Sequence, residues 1–405
     1  MRRRATADGP AEILRGIEGR EVASLAAELV QFPTVNPPGD EREICEFTAS
    51  WFEKRGAHAL LLEEVPGRTN VQVEIDGDEE GGRTLILNGH TDVVPTGEGW
   101  SHDPFGGKIE GGRVYGRGSG DMKGGLAAMM VAAAAVQKNR EGLSGRLIFQ
   151  AAADEEVGTS MGTAFLTARG LKGDLAIVGE PTGLDVCVCH KGVIRFDIVT
   201  SGRAAHAGVP EKGISAILAM NELMTALRDY AAELKRERSH SLLGPPTVNI
   251  GTIEGGVKVN IVPDRCAITA ERRVVPPETV AGTVREVLAV VAGAAKKSGI
   301  KYKLTFNSKS QPSEAKNDGG TVDILLGAAR AVTGKRKERT GFNATCDARY
   351  LNNIAHIPTV VFGPGKLENI HKPDEYVEVR ELEQAARVYA LCYLRLQLGS
   401  PDRDG

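Results

Sequence analysis

Three short apolar runs constrain this chain more than any other feature: RTLILN at residues 83–88, RLIFQA at 146–151 and LAIV at 175–178. Each reads as a buried strand. Helical spacing surrounds them, at residues 22–30, at 41–52 and in the Ala-rich stretch 122–137. Strands alternating with helices predict an α/β layer around a mainly parallel sheet. Such sheets collect their chemistry at the carboxyl ends of the strands. His90, Glu155 and Glu180 each lie a few residues past one of these runs.

The middle of the chain follows a different rule. VIRFDIVT at 193–200 alternates like a half-exposed strand, and a long helical pattern covers 214–234. Strands at 247–253 and 266–272 precede another helix over 280–295, an order that resembles an open-faced α+β sandwich of ferredoxin-like type. Alternation resumes with a helix at 322–332 and a strand at 359–362. A chain of 405 residues is long for one core. The expected division is therefore a catalytic domain in two parts, 1–189 and 306–405, interrupted by an inserted domain at 190–305. The tail Ser400 to Gly405 is expected to be disordered.

Composition narrows the partners. A net charge of -3 with 25% charged residues gives no basic surface of the kind nucleic acid selects. The most apolar run, 126–136, falls short of the roughly 20 residues a membrane helix needs. The basic opening MRRR has no apolar stretch behind it and is not a secretory signal. Six irregularly spaced cysteines form no disulfide framework. Cys187 and Cys189 read as two half-buried thiols on one strand. Neither nucleic acid nor a membrane is expected as a partner, and a reducing cytoplasm is the expected location.

The chemistry-bearing segments are NGHTDVVP (88–95), YGRGSGDMKGG (115–125), ADEEVG (153–158), GEPT (179–182) and IHKPDEYV (370–377). They supply His, Asp and Glu at strand ends and loops. Two divalent cations about 3.5–4 Å apart need such a set, with one ligand shared. Imidazole with carboxylate suits zinc, with cobalt or manganese as substitutes. Each piece has a plainer reading: a His-x-Asp is usually a local hydrogen bond, adjacent glutamates a solvated pair, a glycine-rich stretch only a turn. Gly116, Gly118 and Gly120 do not fit a dinucleotide fingerprint. Spacing alone leaves both readings open.

These segments, with FPTVNPPGD at 32–40, resemble the metallohydrolase family of acetylornithine deacetylase, succinyl-diaminopimelate desuccinylase, aminoacylase and glutamate carboxypeptidase. The likeness covers nearly the whole chain, in the family's order. It implies an α/β catalytic domain carrying an inserted lid or dimerisation domain, a homodimer, and two divalent ions, Zn2+ first, with Co2+ or Mn2+ possible. Carried over by position, His90 and Glu180 would bind one ion, Glu156 and His371 the other, and Asp121 both. Asp92 would orient His90 by accepting its hydrogen bond. Glu155 would be the general base. In SGRAAHAGVP (201–210), His206 would donate to the developing oxyanion, often across a dimer interface. Asn260 would reach substrate, and Arg273 would clamp a substrate carboxylate, leaving Arg272 as an ordinary surface charge. Glu271 stands where the family usually has Asp. In FNATCDARY (342–350) Cys346 is a departure, while Asp347 and Arg349 match without an assigned role.

The expected activity is removal of an acyl group from an N-acyl amino acid, in amino-acid biosynthesis. A dipeptidase or carboxypeptidase would use the same metal site with a different pocket. A catalytically silent binding protein is the reading of another class, and the intact set of Glu155 and five ligands argues against it.

Overall fold

The computed structural model describes residues 9–158, 160–315 and 318–398; the tail Ser400 to Gly405 lies outside them. The chain divides into two compact units. The first takes Met1–Val188, Glu314–Gly341 and Cys346–Gly405, the second Cys189–Ser313 and Phe342–Thr345.

The first unit is built on a nine-stranded mixed sheet. Its centre is parallel: Glu79–His90 lies between Ser144–Ala152 and Leu175–Val178, and Thr359–Val361 follows, parallel to Leu175–Val178. The first three of these strands carry the three apolar runs, and the residues around them are buried because helices cover a parallel sheet. Helices Gly19–Val30, Gly124–Lys138, Thr321–Thr333 and Val379–Leu398 pack on one another, and Gly124–Lys138 and Val379–Leu398 also reach the central strands. One edge is antiparallel, where Ala59–Glu63 and Thr69–Asp76 form a hairpin on Ser144–Ala152. A small three-stranded sheet joins Lys108–Glu110, Arg113–Tyr115 and Tyr376–Glu378.

Helix Gly124–Lys138 comes close to a strand end because it begins with glycine. A Cβ at Gly125 would collide with the Gly179 carbonyl, one residue before Glu180. All six cysteines are buried thiols, so Cys187 and Cys189 are more enclosed than the half-buried positions expected of them. No described helix is long and apolar enough to cross a membrane.

The second unit has four antiparallel strands in the order Thr247–Gly255, Arg265–Val274, Gly192–Ser201, Lys301–Ser310. Helices Ala216–Glu237 and Val280–Ser298 complete a strand–helix–strand–strand–helix–strand order, the ferredoxin-like arrangement. Met220, Leu223, Leu227 and Leu234 share one helical face and bury it against Ile194, Phe196 and Ile268. This unit runs to Ser313 rather than 305, because Lys301–Ser310 pairs with Gly192–Ser201 along its length.

Arg272 corrects one expectation. It is fully buried and donates from Nη1 and Nη2 to the two carboxylate oxygens of Glu278, both at 2.7 Å. Strand alternation decides this: along Arg265–Val274 every second residue, Arg272 included, is buried.

Candidate metal centre

Register in the parallel sheet brings the acidic residues to one end. His90 ends its strand level with Ala152, so Glu155 and Glu156 lie three and four residues beyond the neighbouring strand's last residue. Asn88 is level with Val178, which puts Glu180 on the other side at about the height of His90. Asp121 comes from the glycine-rich turn before helix Gly124–Lys138, and His371 from the turn before Tyr376–Glu378.

Asp121 lies between the two histidines. Its Oδ1 is 3.1 Å from His90 Nε2 and its Oδ2 is 3.0 Å from His371 Nε2. Glu180 Oε1 stands 3.8 Å from His90 Nε2, and Glu156 Oε1 3.4 Å from His371 Nε2. Ligand atoms of His90, Asp121 and Glu156 lie within 4.8 Å of one another, as do those of His90, Glu155 and Glu180. His90, Asp121 and Glu180 are buried, whereas the His371 side chain is 47% exposed and marks the open side.

Asp92 has a different set of partners from the expected one. The nearer acceptor for His90 Nδ1 is the Asp92 main-chain oxygen, at 2.9 Å, with the carboxylate at 3.5 Å. The Asp92 carboxylate instead accepts the main-chain N–H groups of Glu155 and Glu156, both at 3.1 Å, and Asn36 Nδ2 at 2.8 Å. Asn36 also donates to Asp154, which receives Arg68 at 2.9 Å, and Arg68 grips Glu41 with two hydrogen bonds. This buried chain holds the turn that carries both glutamates, with Asp154 in the left-handed region at φ 68°. Asn36 lies in the FPTVNPPGD segment, so its place in a motif was a signal; nothing in the sequence pointed to Arg68 or Glu41. Arg349, buried, has Nη1 3.8 Å from Glu155 Oε1 and Nη2 3.4 Å from Asp347.

Electrostatics tests whether the set suits metal ions. Burial, followed by repulsion from Asp347 for Glu155 and from Asp121 for Glu180, pushes both carboxyls well above the usual carboxylate range. Burial and then Asp121 raise Glu156 as well. His371 is pushed up to about 10 by its contacts with Asp121 and then Glu156. Asp121 is held low against the cost of its burial, because both imidazoles face it. More negative charge converges here than two imidazoles neutralise, and Glu156 Oε1 is buried without a hydrogen bond. Such a cluster suits divalent cations, which coordinate several oxygens at once. The residues present fit two ions.

The remaining predicted residues belong to the second unit. His206 is exposed, and its segment bridges to Ile261 beside Asn260, whose carbonyl accepts the Ala207 N–H at 3.1 Å. Arg273 is bound by Glu271 at 2.7 Å, so glutamate fills the orienting place, and its Nη1 lies 3.3 Å from Thr345 Oγ1. Lys191, to which no sequence motif pointed, is buried near it; burial, then repulsion from Arg273, lowers its pKa.

A parallel sheet end carrying two imidazoles and four clustered carboxylates defines a metal-dependent hydrolase, and one with donors for a dinuclear centre. Comparison makes the class definite: the chain belongs to the family described as Peptidase family M20/M25/M40, whose pattern matches residues 86–395. It is 30% identical to an N-formyl-4-amino-5-aminomethyl-2-methylpyrimidine deformylase of Halalkalibacterium halodurans, over 93% of this chain and 95% of that one. It is 30% identical to an acetylornithine deacetylase of Pasteurella multocida (89% and 94% covered) and 31% identical to a succinyl-diaminopimelate desuccinylase of a Ruegeria species (90% and 92%). Among solved structures, a family M20 metallo-carboxypeptidase from Sulfolobus solfataricus shares the fold with a TM-score of 0.78 at 20% identity, over 93% of this chain and 99% of that one. The chain is a metal-dependent hydrolase of amide bonds.

Proposed function

We propose that this enzyme is a deacylase that removes a small acyl group from an N-acyl amino acid, with its ions held by His90 and Glu180, by Glu156 and His371, and by Asp121 in common. The observation that carries the assignment is Asp121, whose two carboxylate oxygens each face a different histidine at 3.0–3.1 Å. Zn2+ is the first choice for such donors, with Co2+ or Mn2+ as alternatives. When bound, the ions polarise the scissile carbonyl and lower the pKa of the attacking water.

Every other role falls to the protein's own groups. Glu155 takes a proton from the attacking water, then delivers it to the amine nitrogen as the C–N bond breaks. Asp92 holds the Glu155–Glu156 main chain in place through its two N–H acceptor bonds. Arg273 binds the substrate carboxylate, with Lys191 as a second nearby cation and Asn260 as a polar contact. His206 donates to the carbonyl oxygen as negative charge develops there.

A homodimer joined through the second unit is supported by its edge strand. Ile253 on Thr247–Gly255 is 58% exposed, and Val257 and Val259 just beyond it are 90% and 97% exposed. An open edge beside exposed apolar residues is a surface that normally finds a partner. The six buried thiols suit a reducing cytoplasm.

The test is a substrate panel with the zinc- or cobalt-loaded enzyme: N-acetylornithine, N-succinyl-diaminopimelate, other N-acyl amino acids, N-formyl amines and dipeptides. Turnover of one N-acyl amino acid well above all dipeptides is expected. Dipeptides turned over faster would make the enzyme a peptidase with the same centre.

A further inference from the structure

One buried carboxylate bound to the main chain of Asp121 is not among the proposed ligands. Glu375 is fully buried in the turn four residues after His371. Its Oε1 accepts the main-chain N–H groups of Gly118 and Gly120 at 3.0 Å and of Asp121 itself at 3.2 Å. Its Oε2 pairs with the buried guanidinium of Arg117, and its main-chain oxygen accepts the Gly116 N–H at 2.9 Å. Strands Arg113–Tyr115 and Tyr376–Glu378 pair as far as Tyr115 and Tyr376. Where that ladder ends, the Glu375 carboxylate gathers the next turn. Successive amides converging on one anion form a nest, and this one needs its glycines: Gly116 and Gly118 have φ of 143° and 83°, and a Cβ on Gly120 would sit 3.5 Å from Glu375 Oε1 and 3.0 Å from Ile370.

The same turn presents His371. Its own φ is 57° and that of Asp374 is 54°, and the Asp374 carboxylate accepts the Ser101 N–H and hydroxyl at 2.9 and 2.8 Å. Asp121 is thereby bound directly to the Glu375 carboxylate, while His371, from a sequence segment 250 residues away, lies four residues before Glu375 in the same turn. Among the described residues no hydrogen bond or ion pair joins that carboxylate to His90, on a strand end, or to Glu180.

We infer that Glu375 is a positioning residue that sets Asp121 and His371 as a unit, and so governs the ion held by Asp121, Glu156 and His371 more than the ion held by His90, Glu180 and Asp121. The inference rests on the ligand reading above. Two of three donors of the first ion, Asp121 and His371, come from the two segments that meet at Glu375, against one of three for the second. Loss of an outer residue that orients ligands typically lowers metal affinity about 10–100-fold.

The experiment is Co2+ titration of metal-free protein, read by calorimetry and the visible absorption of the bound ion, with elemental analysis for stoichiometry. Glu375→Ala leaves the buried Arg117 charge unpaired and can unfold the chain. The variants to titrate are therefore Glu375→Gln, which keeps an acceptor oxygen, and the double variant E375A/R117M. Expected is one tight equivalent, with the other weakened about 10–100-fold in the double variant and less in Glu375→Gln. The remaining spectrum should match that of His371→Ala. Parental affinity for both equivalents, or equal weakening of the two, overturns the inference. If His371→Ala itself binds both equivalents like the parent, the ligand reading fails instead, whatever Glu375 does.

Discussion

The adjacent glutamates Glu155 and Glu156 have different surroundings, as the different tasks proposed for them require. Glu156 leans toward His371, whereas Glu155 stands within 3.8 Å of the Arg349 guanidinium and in ligand range of His90 and Glu180. That range makes Glu155 either a base beside the ions or a ligand to one of them, and the two roles separate experimentally. Glu155→Ala should lower kcat by at least about 10²-fold, the lower end of what general-base catalysis contributes, while the metal content stays at two ions per chain. Loss of an ion in elemental analysis would make Glu155 a ligand; unaltered kcat would remove it from the mechanism. The candidate ligands lie in short motifs that the resemblance singled out, with His90, Glu156 and Glu180 at or just past strand ends and Asp121 and His371 in turns, and the structure brings them together. The groups that hold them were not legible in the sequence. Glu41, Arg68 and Asp154 are far apart in sequence and meet only through folding, and Arg272 was distinguishable from Arg273 only once strand register fixed which of the two faces inward.

At the scale of elements, hydrophobic periodicity carried most of the information. The runs at 83–88, 146–151 and 175–178 became the sheet centre because a buried parallel strand has to be apolar on both faces. Less visible were elements whose stability comes from neighbours: the edge hairpin Ala59–Glu63 with Thr69–Asp76, the alternating polar strand Lys301–Ser310 that extended the second unit, and the three-residue strands around the His371 turn. A glycine can matter as much as a strand. Because Gly125 lies against the Gly179 carbonyl, Gly125→Val should push helix Gly124–Lys138 away from the strand end that bears Glu180. Overpacking of this kind costs about 1–3 kcal/mol. The urea midpoint should fall accordingly, and metal affinity should drop with it. A variant with parental midpoint and parental affinity would show that the close approach is not needed.

For the whole molecule, the division into two units separates the roles. Every proposed metal ligand and Glu155 lie in the first unit, while His206, Asn260 and Arg273 lie in the second. A group on a separately folded unit can serve its own chain or, in a dimer, its partner's. Both arrangements give active wild type, so single variants cannot tell them apart: Glu155→Ala and His206→Ala should each be inactive or nearly so either way, the latter by about 10²–10³-fold in kcat if it resembles other oxyanion donors. Mixed dimers can. If subunits of the two variants re-associate at random, half the dimers are hybrids. With His206 acting across the interface, one site in each hybrid keeps both groups intact, which restores about a quarter of the sites. With His206 acting within its own chain, every site in every hybrid lacks one group, and no activity returns. Mixing the purified variants under conditions that exchange subunits, then assaying, therefore decides which chain supplies His206. Recovery near one quarter assigns it to the partner; none, in a sample shown by mass to contain hybrids, assigns it to the same chain.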